Sequence, residues 1–418
     1  MTEFDGKTLK DFEYKGEPLL ERAKTIDNYI VYRHNICHLP YRIITCSGSR
    51  AEMEIQNPYS QKKENVISFV SNDYLGLSHH NKVIEAGIDA IRQFGCGAGA
   101  SPLIGGHHYL HEALEKKIAH FLNNEYAISY TSGYAANCST ICALLGEDDV
   151  AILDMFTHAS VMDGCHCTNR KIFLHNNIES LLRALRASMD FKNRLVVIDG
   201  VYSQDGDIAY IDKIYEVCKE YGAYLMIDDA HGIGVLGKTG RGVIEDFGLL
   251  NKVDIITGTF SKAFGNVGGY TIARKEVITL LRYYSRHNIF SAAATPQVAA
   301  STIKAIEIID EEPDIRERLL KNIQYFRESL NTLHIDYGIS QSAIFPLMIR
   351  DEYKVNEAAK ILLENGVYVN PISYPAVPRK QSRIRLSLTA MHTKENIDQA
   401  LNQIEFVYNK LNLRRKTS

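Results

Sequence analysis

Between about residue 110 and residue 275 the chain repeats one rhythm: a short apolar run, a polar break, then a longer stretch with apolar residues at helical spacing. The apolar runs are Tyr126–Tyr130, Val150–Asp154, Leu195–Asp199, Leu225–Asp228, Asp254–Ile256 and Gly269–Ala273. Continuous apolar runs of this length, bounded by turn residues, predict strands buried on both faces. The segments between and after them, Leu110–Leu122, the one opening at Thr131–Asn137, Asp212–Tyr221 and Lys275–Arg286, predict helices. Strands alternating with helices predict an α/β fold with a mainly parallel sheet covered on both sides. In such sheets ligands gather at the carboxyl ends of the strands, and the chemistry-bearing residues are sought there.

Outside this stretch the rhythm changes. Residues 1–65 mix charged and aromatic residues without lasting periodicity and are expected to form an N-terminal arm, packed on a partner or over a site mouth. It holds one helix over Glu17–Tyr32 and a polar loop over Gln56–Asn65, and Arg33 is expected at its surface. A first clear strand, Val66–Val70, opens a large domain over 66–300. Residues 301–418 are expected to form a smaller α+β domain: helices to about Leu333, a strand Ile344–Ile349, a helix Val355–Asn365 and a last helix from Lys394.

Two strand ends carry the candidate chemistry. After Asp254–Ile256 comes Thr257-Gly258-Thr259-Phe260-Ser261-Lys262, a turn of small hydroxyl residues and one lysine. A shielded lysine loses its proton more readily and can attack a carbonyl, so Lys262 is a candidate Schiff-base nucleophile. Just upstream, Leu225-Met226-Ile227-Asp228-Asp229-Ala230-His231 places an acid and an imidazole past another apolar run. Pyridoxal phosphate needs that pairing, because a buried carboxylate must hold a proton on its ring nitrogen. Asp228 suits that task, and His231 suits the phenolic oxygen.

The stretches MIDDAHGIGVLG and GTFSKAFGNVGG resemble the α-oxoamine synthases, a branch of the fold-type I pyridoxal phosphate enzymes. That branch includes serine palmitoyltransferases, 8-amino-7-oxononanoate synthases, 2-amino-3-ketobutyrate ligases and 5-aminolevulinate synthases. The resemblance runs from about Asn72 to His392. It implies a fold-type I large domain and a smaller C-terminal domain. It also implies pyridoxal 5'-phosphate as cofactor, and a homodimer with a shared active site.

The same resemblance assigns roles residue by residue. In Thr131-Ser132-Gly133-Tyr134, Gly133 and Tyr134 correspond to the backbone that cradles the cofactor phosphate. In His158-Ala159-Ser160-Val161-Met162-Asp163-Gly164, His158 corresponds to the histidine that stacks over the ring and meets the substrate. Ser203 in GVYSQDG, with Thr259 and Ser261, corresponds to cofactor-binding hydroxyls, and Thr295 to a hydroxyl that reaches the neighbouring subunit's phosphate. Asn72 in NDYLG lies near the amino-acid substrate, and Arg385 matches the arginine that forks around its carboxylate. Arg383, on the same strand face, is set aside on the motif alone.

The implied reaction is a decarboxylative Claisen condensation of a small α-amino acid with an acyl thioester. The acyl carrier is CoA or a carrier protein, and the products are an α-amino ketone, CO2 and free thiol. Lys262 is the base and His158 the substrate-side donor. Pro102 stands where family members using succinyl-CoA carry arginine, which disfavours that donor. Ala376 stands where oxononanoate synthases tend to have threonine. An ordinary aminotransferase is the alternative, and a non-catalytic subunit of a heteromeric synthase is a further one. The glycine-rich stretch Gly95–Pro102 lacks the strand, helix and acid of a dinucleotide site.

Composition changes little. Of 418 residues, 45% are hydrophobic and 23% charged, as in soluble enzymes, and a net charge of −3 gives no reason to expect nucleic acid or a membrane as partner. The N-terminus carries no export signal pattern and no run reaches membrane-span length, so a cytoplasmic enzyme is expected. The basic tail Arg414-Arg415-Lys416 is expected to be a frayed end. Eight cysteines follow no regular interval. Cys165 and Cys167 flank His166, but no further ligand follows at a sensible spacing, so no metal is expected. Cys138 and Cys142 fit a helix as ordinary buried thiols. His107, His108 and His111 receive no role.

Overall fold

The computed structural model describes residues 3–13 and 16–413, so the tail Arg414-Arg415-Lys416 lies outside the described residues. The chain divides into two compact units, one of residues 72–320 with 341–343, the other of residues 1–71, 321–340 and 344–418. The boundaries expected at 65 and 300 therefore fall at 71 and 320. The N-terminal segment joins the smaller unit because its strand Lys63–Ser68 pairs in parallel with Val367–Tyr368, and because Tyr29 is buried there.

The larger unit is built on seven strands: β1 (Ala127–Tyr130), β2 (Val150–Asp154), β3 (Asn169–Phe173), β4 (Arg194–Asp199), β5 (Tyr224–Asp228), β6 (Ile255–Thr259) and β7 (Gly269–Ala273). Their order is β1-β7-β6-β5-β4-β2-β3. The pairs from β6 to β3 are parallel, and β7 is antiparallel to both β1 and β6. Val150–Leu153, Leu195–Ile198 and Leu225–Ile227 are 0–2% exposed, which is why they read as unbroken apolar runs. Each such side chain contributes about 1.5–3 kcal/mol on leaving water. Between strands run α1 (Gly133–Leu144), α2 (Ala159–Gly164) and helices over Ile178–Arg186 and Ile211–Glu220. A further helix of this unit, α3, spans Pro296–Glu311.

The carboxyl ends of β2, β3 and β4 are tied together by one imidazole. His175, just past β3, bonds Asp154 at the end of β2 (Nδ1 to Oδ1, 3.0 Å) and Asp207 in the loop after β4 (Nε2 to Oδ2, 2.8 Å). Burial alone would lower its pKa, but the hydrogen bonds and negative charges of the two aspartates outweigh it and raise the value to about 9. A pKa raised on folding adds stability that is whole below the ordinary histidine value and is lost as pH rises through the folded value. The unfolding midpoint should therefore fall between pH 7 and about 9.5, and H175Q should flatten that part of the profile. Equal slopes in the two proteins would remove the imidazolium bridge.

The smaller unit carries two sheets. One pairs Ile44–Thr45, Glu52–Gln56, Lys63–Ser68 and Val367–Tyr368, and the other sets Arg383–Ser387 between Ile344–Met348 and Asn370–Ile372. Arg33 is held within its own segment, bonding the carbonyl of His38 (2.7 Å) and the hydroxyl of Tyr29 (2.9 Å). No helix among the described residues is long and apolar enough to cross a membrane.

Candidate active site

The carboxyl ends of β4, β5 and β6 and the starts of α1 and α2 enclose a cleft of about 210 Å³. Its walls include Asp228, His231, Lys262, His158, Gly133, Tyr134, Ser203, Thr259 and Ser261. Nine of the residues picked from the sequence therefore converge on one cavity, although they span positions 133 to 262.

Asp228 is the last residue of β5 and is 8% exposed. Its Oδ2 accepts from Asn137 Nδ2 at 2.6 Å and its Oδ1 from the Ala230 N–H at 3.1 Å. Asp229 turns the other way. Its carboxylate accepts the Val243 N–H at 2.9 Å, outside the cleft, so of the two acids only Asp228 can meet a ligand there.

A relay runs from Asp228 to His158. Asn137 also donates to Ser160 Oγ at 2.9 Å, and Ser160 Oγ lies 2.7 Å from His158 Nδ1, which takes the Ser160 N–H at 3.3 Å as well. With Nδ1 filled as an acceptor, the proton sits on Nε2. Burial lowers the His158 pKa, the charge of Asp228 opposes that, and Lys262 lowers it further. The ring is therefore a neutral donor near pH 7. The His158 N–H contacts Asp199 at 3.3 Å, and burial together with the charge of Asp228 raises the Asp199 carboxyl well above the usual range.

His231 is positioned from the opposite side. Its Nδ1 lies 2.7 Å from the hydroxyl of Tyr74, which donates to Asn72 Oδ1 at 3.3 Å. Asn72 thus connects to the cleft through Tyr74. Replacing Tyr74 by phenylalanine removes the shared anchor of the buried His231 imidazole and the half-buried Asn72 amide. Turnover should drop about tenfold with the fold intact, as a buried hydrogen bond is worth roughly 0.5–1.5 kcal/mol. Steady-state kinetics beside a thermal melt would check this, and unchanged turnover would detach Tyr74 from the site.

The start of α1 supplies an anion cradle. Ser132 caps it, with Oγ taking the Ala135 N–H at 3.0 Å and the carbonyl taking the Ala136 N–H at 3.1 Å. The N–H groups of Gly133 and Tyr134 have no acceptor among the described residues and stand open to an outside one, at the positive end of a 12-residue helix. Gly133 is needed here, since a Cβ would lie 2.9 Å from Thr259 Cβ and push the helix start off β6. Thr259 Oγ1 bonds the Gly268 carbonyl at 2.8 Å and lies 3.0 Å from Ser261 Oγ, so both hydroxyls line the same end. Past Lys262 the chain turns at Gly265 (φ +64), where a Cβ would meet Ser78 N at 2.2 Å. Asn137 Oδ1 is buried on the cleft wall with no hydrogen-bond partner among the described residues. An amine, a buried carboxylate, two imidazoles and a helix start with hydroxyls form a donor set that fits pyridoxal phosphate.

Two candidates lie elsewhere. Thr295 caps α3 without a side-chain bond, and its buried Oγ1 has no partner among the described residues; it does not line the cleft. Arg385 belongs to the smaller unit, where its Nη1 donates to Ser387 Oγ at 3.1 Å, while Arg383 Nε donates to the Gln381 carbonyl at 2.8 Å. Sequence reasoning passed over Asn137, Ser160, Asp199 and Tyr74. All are common polar residues whose importance comes from a partner distant in the chain.

The chain matches the family model for aminotransferase class I and II over residues 64–404. It is 40% identical over 351 residues to 8-amino-7-oxononanoate synthase of Thermoanaerobacter pseudethanolicus, covering 83% of this chain and 89% of that one. It is also 40% identical to 8-amino-7-oxononanoate synthase 1 of Bacillus subtilis, covering 84% and 90%. Among solved structures it superposes on a lysine-to-alanine variant of serine palmitoyltransferase from S. paucimobilis with a bound pyridoxal phosphate–myriocin aldimine. There the TM-score is 0.90 and the identity 30%, over 95% of this chain and all of that one. The 8-amino-7-oxononanoate synthase of Francisella tularensis gives a TM-score of 0.71 at 26% identity, over 83% and 99%.

Proposed function

The chain belongs to the class I and II aminotransferase family and, within it, to the α-oxoamine synthases; from that premise we propose a decarboxylative condensation of a small α-amino acid with an acyl thioester. The observation that carries the proposal is the meeting of Lys262, Asp228, His158 and His231 in one cleft. When bound there, pyridoxal phosphate supplies an aldehyde for amines and a ring that accepts an electron pair from the α-carbon.

The residues of the chain do the rest. Asp228, fixed by Asn137 and the Ala230 N–H, holds a proton on the ring nitrogen. His231, backed by Tyr74, would meet the phenolic oxygen of the bound cofactor. Gly133 and Tyr134 would hold the phosphate through backbone N–H groups, with the hydroxyls of Thr259 and Ser261 beside them, and Ser203 would hydrogen-bond the cofactor. Lys262 holds the cofactor, takes the α-proton of the amino acid and returns a proton to the product carbon. His158 donates Nε2–H to the substrate carbonyl, where negative charge grows as the new bond forms. The family resemblance assigns amino-acid binding to Asn72 and to Arg385, whose guanidinium suits a two-pronged grip on a carboxylate. In a homodimer, Thr295 of one copy would supply a hydroxyl to the phosphate held by the other. The cysteines stand as free thiols, which agrees with a reducing cytoplasm.

The test is a matrix of small amino acids against acyl-CoAs of different length, succinyl-CoA included, followed by thiol release. Free thiol from at least one pair, with little from succinyl-CoA because of Pro102, is the expected outcome. Amino transfer to a 2-oxo acid without thiol release would instead make the protein an aminotransferase. A purified protein that binds no cofactor would make it a non-catalytic subunit.

A further inference from the structure

At the far end of α1 from the cradle, Cys142 meets His166 and Cys167, which follow α2 by two and three residues. One ligand atom from each of the three lies within 4.8 Å of the others, and all three cysteine and histidine side chains reach solvent to some degree. In the sequence Cys165 and Cys167 flank His166 with no further ligand nearby, and Cys165 takes no part here, because it is 2% exposed and donates its thiol to the Val161 carbonyl inside the core. The missing ligand is Cys142, 24 residues upstream, which no local spacing reveals.

We propose that Cys142, His166 and Cys167 form a binding site for a thiophilic divalent cation, zinc. Two thiolates and one imidazole are a zinc ligand set with one position left for water. Bonds of about 2.3 Å to sulfur and about 2.0 Å to nitrogen hold tetrahedral ligand atoms about 3.5 Å apart. Here Cys142 Sγ lies 3.4 Å from His166 Nδ1 and 3.9 Å from Nε2, so small side-chain rotations close the site. The imidazole is already oriented: His166 Nδ1 donates to the Asp163 carbonyl at 3.0 Å, which leaves the Nε2 lone pair for the metal. The site opens on a cavity also lined by Tyr284, Arg286 and His287, which gives an ion a way in.

A cation here would fasten the end of α1 to the turn after α2. The starts of those helices carry Gly133, Tyr134 and His158. The two helices already touch closely, since a Cβ on Gly164 would lie 3.1 Å from Cys138 Cα. Zinc binding should therefore raise the thermal midpoint of the whole unit, as any ligand specific to the folded state does.

The experiment uses the reduced holoenzyme and zinc alone, with affinity measured by competition against a chromophoric chelator and stoichiometry by elemental analysis. The expected result is one zinc per chain and a raised melting midpoint. Both should be lost in C142S and H166Q, with affinity down at least about 100-fold, and kept in C96S and H107Q. Unchanged visible cofactor absorbance in every variant would show that the fold survives. Equal zinc binding by C142S and wild type would overturn the proposal. So would no binding by wild type, or a Cys142–Cys167 disulfide forming in place of zinc uptake.

Discussion

Lys262→Ala is expected to lose turnover by at least about 10⁴-fold, together with the visible absorbance of lysine-bound cofactor. Alanine takes away both the amine that holds the cofactor and the base that moves the α-proton. The cradle is untouched, since Gly133, Tyr134, Thr259 and Ser261 hold their places through bonds that do not involve the lysine. The variant should therefore still bind pyridoxal phosphate, without covalent attachment. Lys262→Arg should fare no better, because a guanidinium keeps its proton throughout the working range. Either variant retaining a tenth of wild-type turnover would take the proton-transfer role away from Lys262.

Asp228→Asn should cost about 10³-fold in kcat and weaken cofactor binding. The amide matches the carboxylate in shape and can keep the bond from the Ala230 N–H, but it brings no negative charge to hold a proton on a ring nitrogen. It also turns an NH2 or an uncharged oxygen toward Asn137 Nδ2, now 2.6 Å from a carboxylate oxygen. The relay through Ser160 to His158 would loosen with it, so the substrate side suffers as well as the cofactor side. Asn137→Ala should reproduce the second loss without the first, a smaller drop of about tenfold in turnover with the cofactor spectrum retained. Full activity in D228N would separate this carboxylate from the chemistry.

The central sheet was legible in the sequence because its strands are buried on both faces. Val150–Asp154 and Gly269–Ala273 were predicted to the residue, and Leu195–Asp199 to within one. The strand Asn169–Phe173 was not foreseen. It lies at the sheet edge with only Phe173 buried, so it shows neither an apolar run nor alternation. Glu52–Gln56 was missed although buried Met53 and Ile55 alternate along it with polar residues, and its membership of the smaller unit rests on pairing with Lys63–Ser68. Helix starts at Lys275 and Lys394 fell where predicted and other helix ends lay within three residues, as with the predicted Val355–Asn365, observed as Glu352–Glu364.

For the site, the residues with distinctive chemistry, Lys262, Asp228, His158 and His231, could be picked out in advance because a motif surrounds each. Asn137 and Ser160 could not. Their significance lies in the bonds of Asn137 to Asp228 and to Ser160, residues far from it in the chain that only the fold brings within reach. Cys142 belongs with them, joined to His166 across 24 residues of chain.

The most direct test of the account is chemical and needs no substrate. The purified holoenzyme is reduced with borohydride, digested, and its peptides are mapped by mass spectrometry. The cofactor should be found fixed to the ε-nitrogen of Lys262, in the peptide containing Phe260-Ser261-Lys262-Ala263-Phe264, at one per chain. Fixation to a different lysine, or none in a protein that has bound the cofactor, would contradict it.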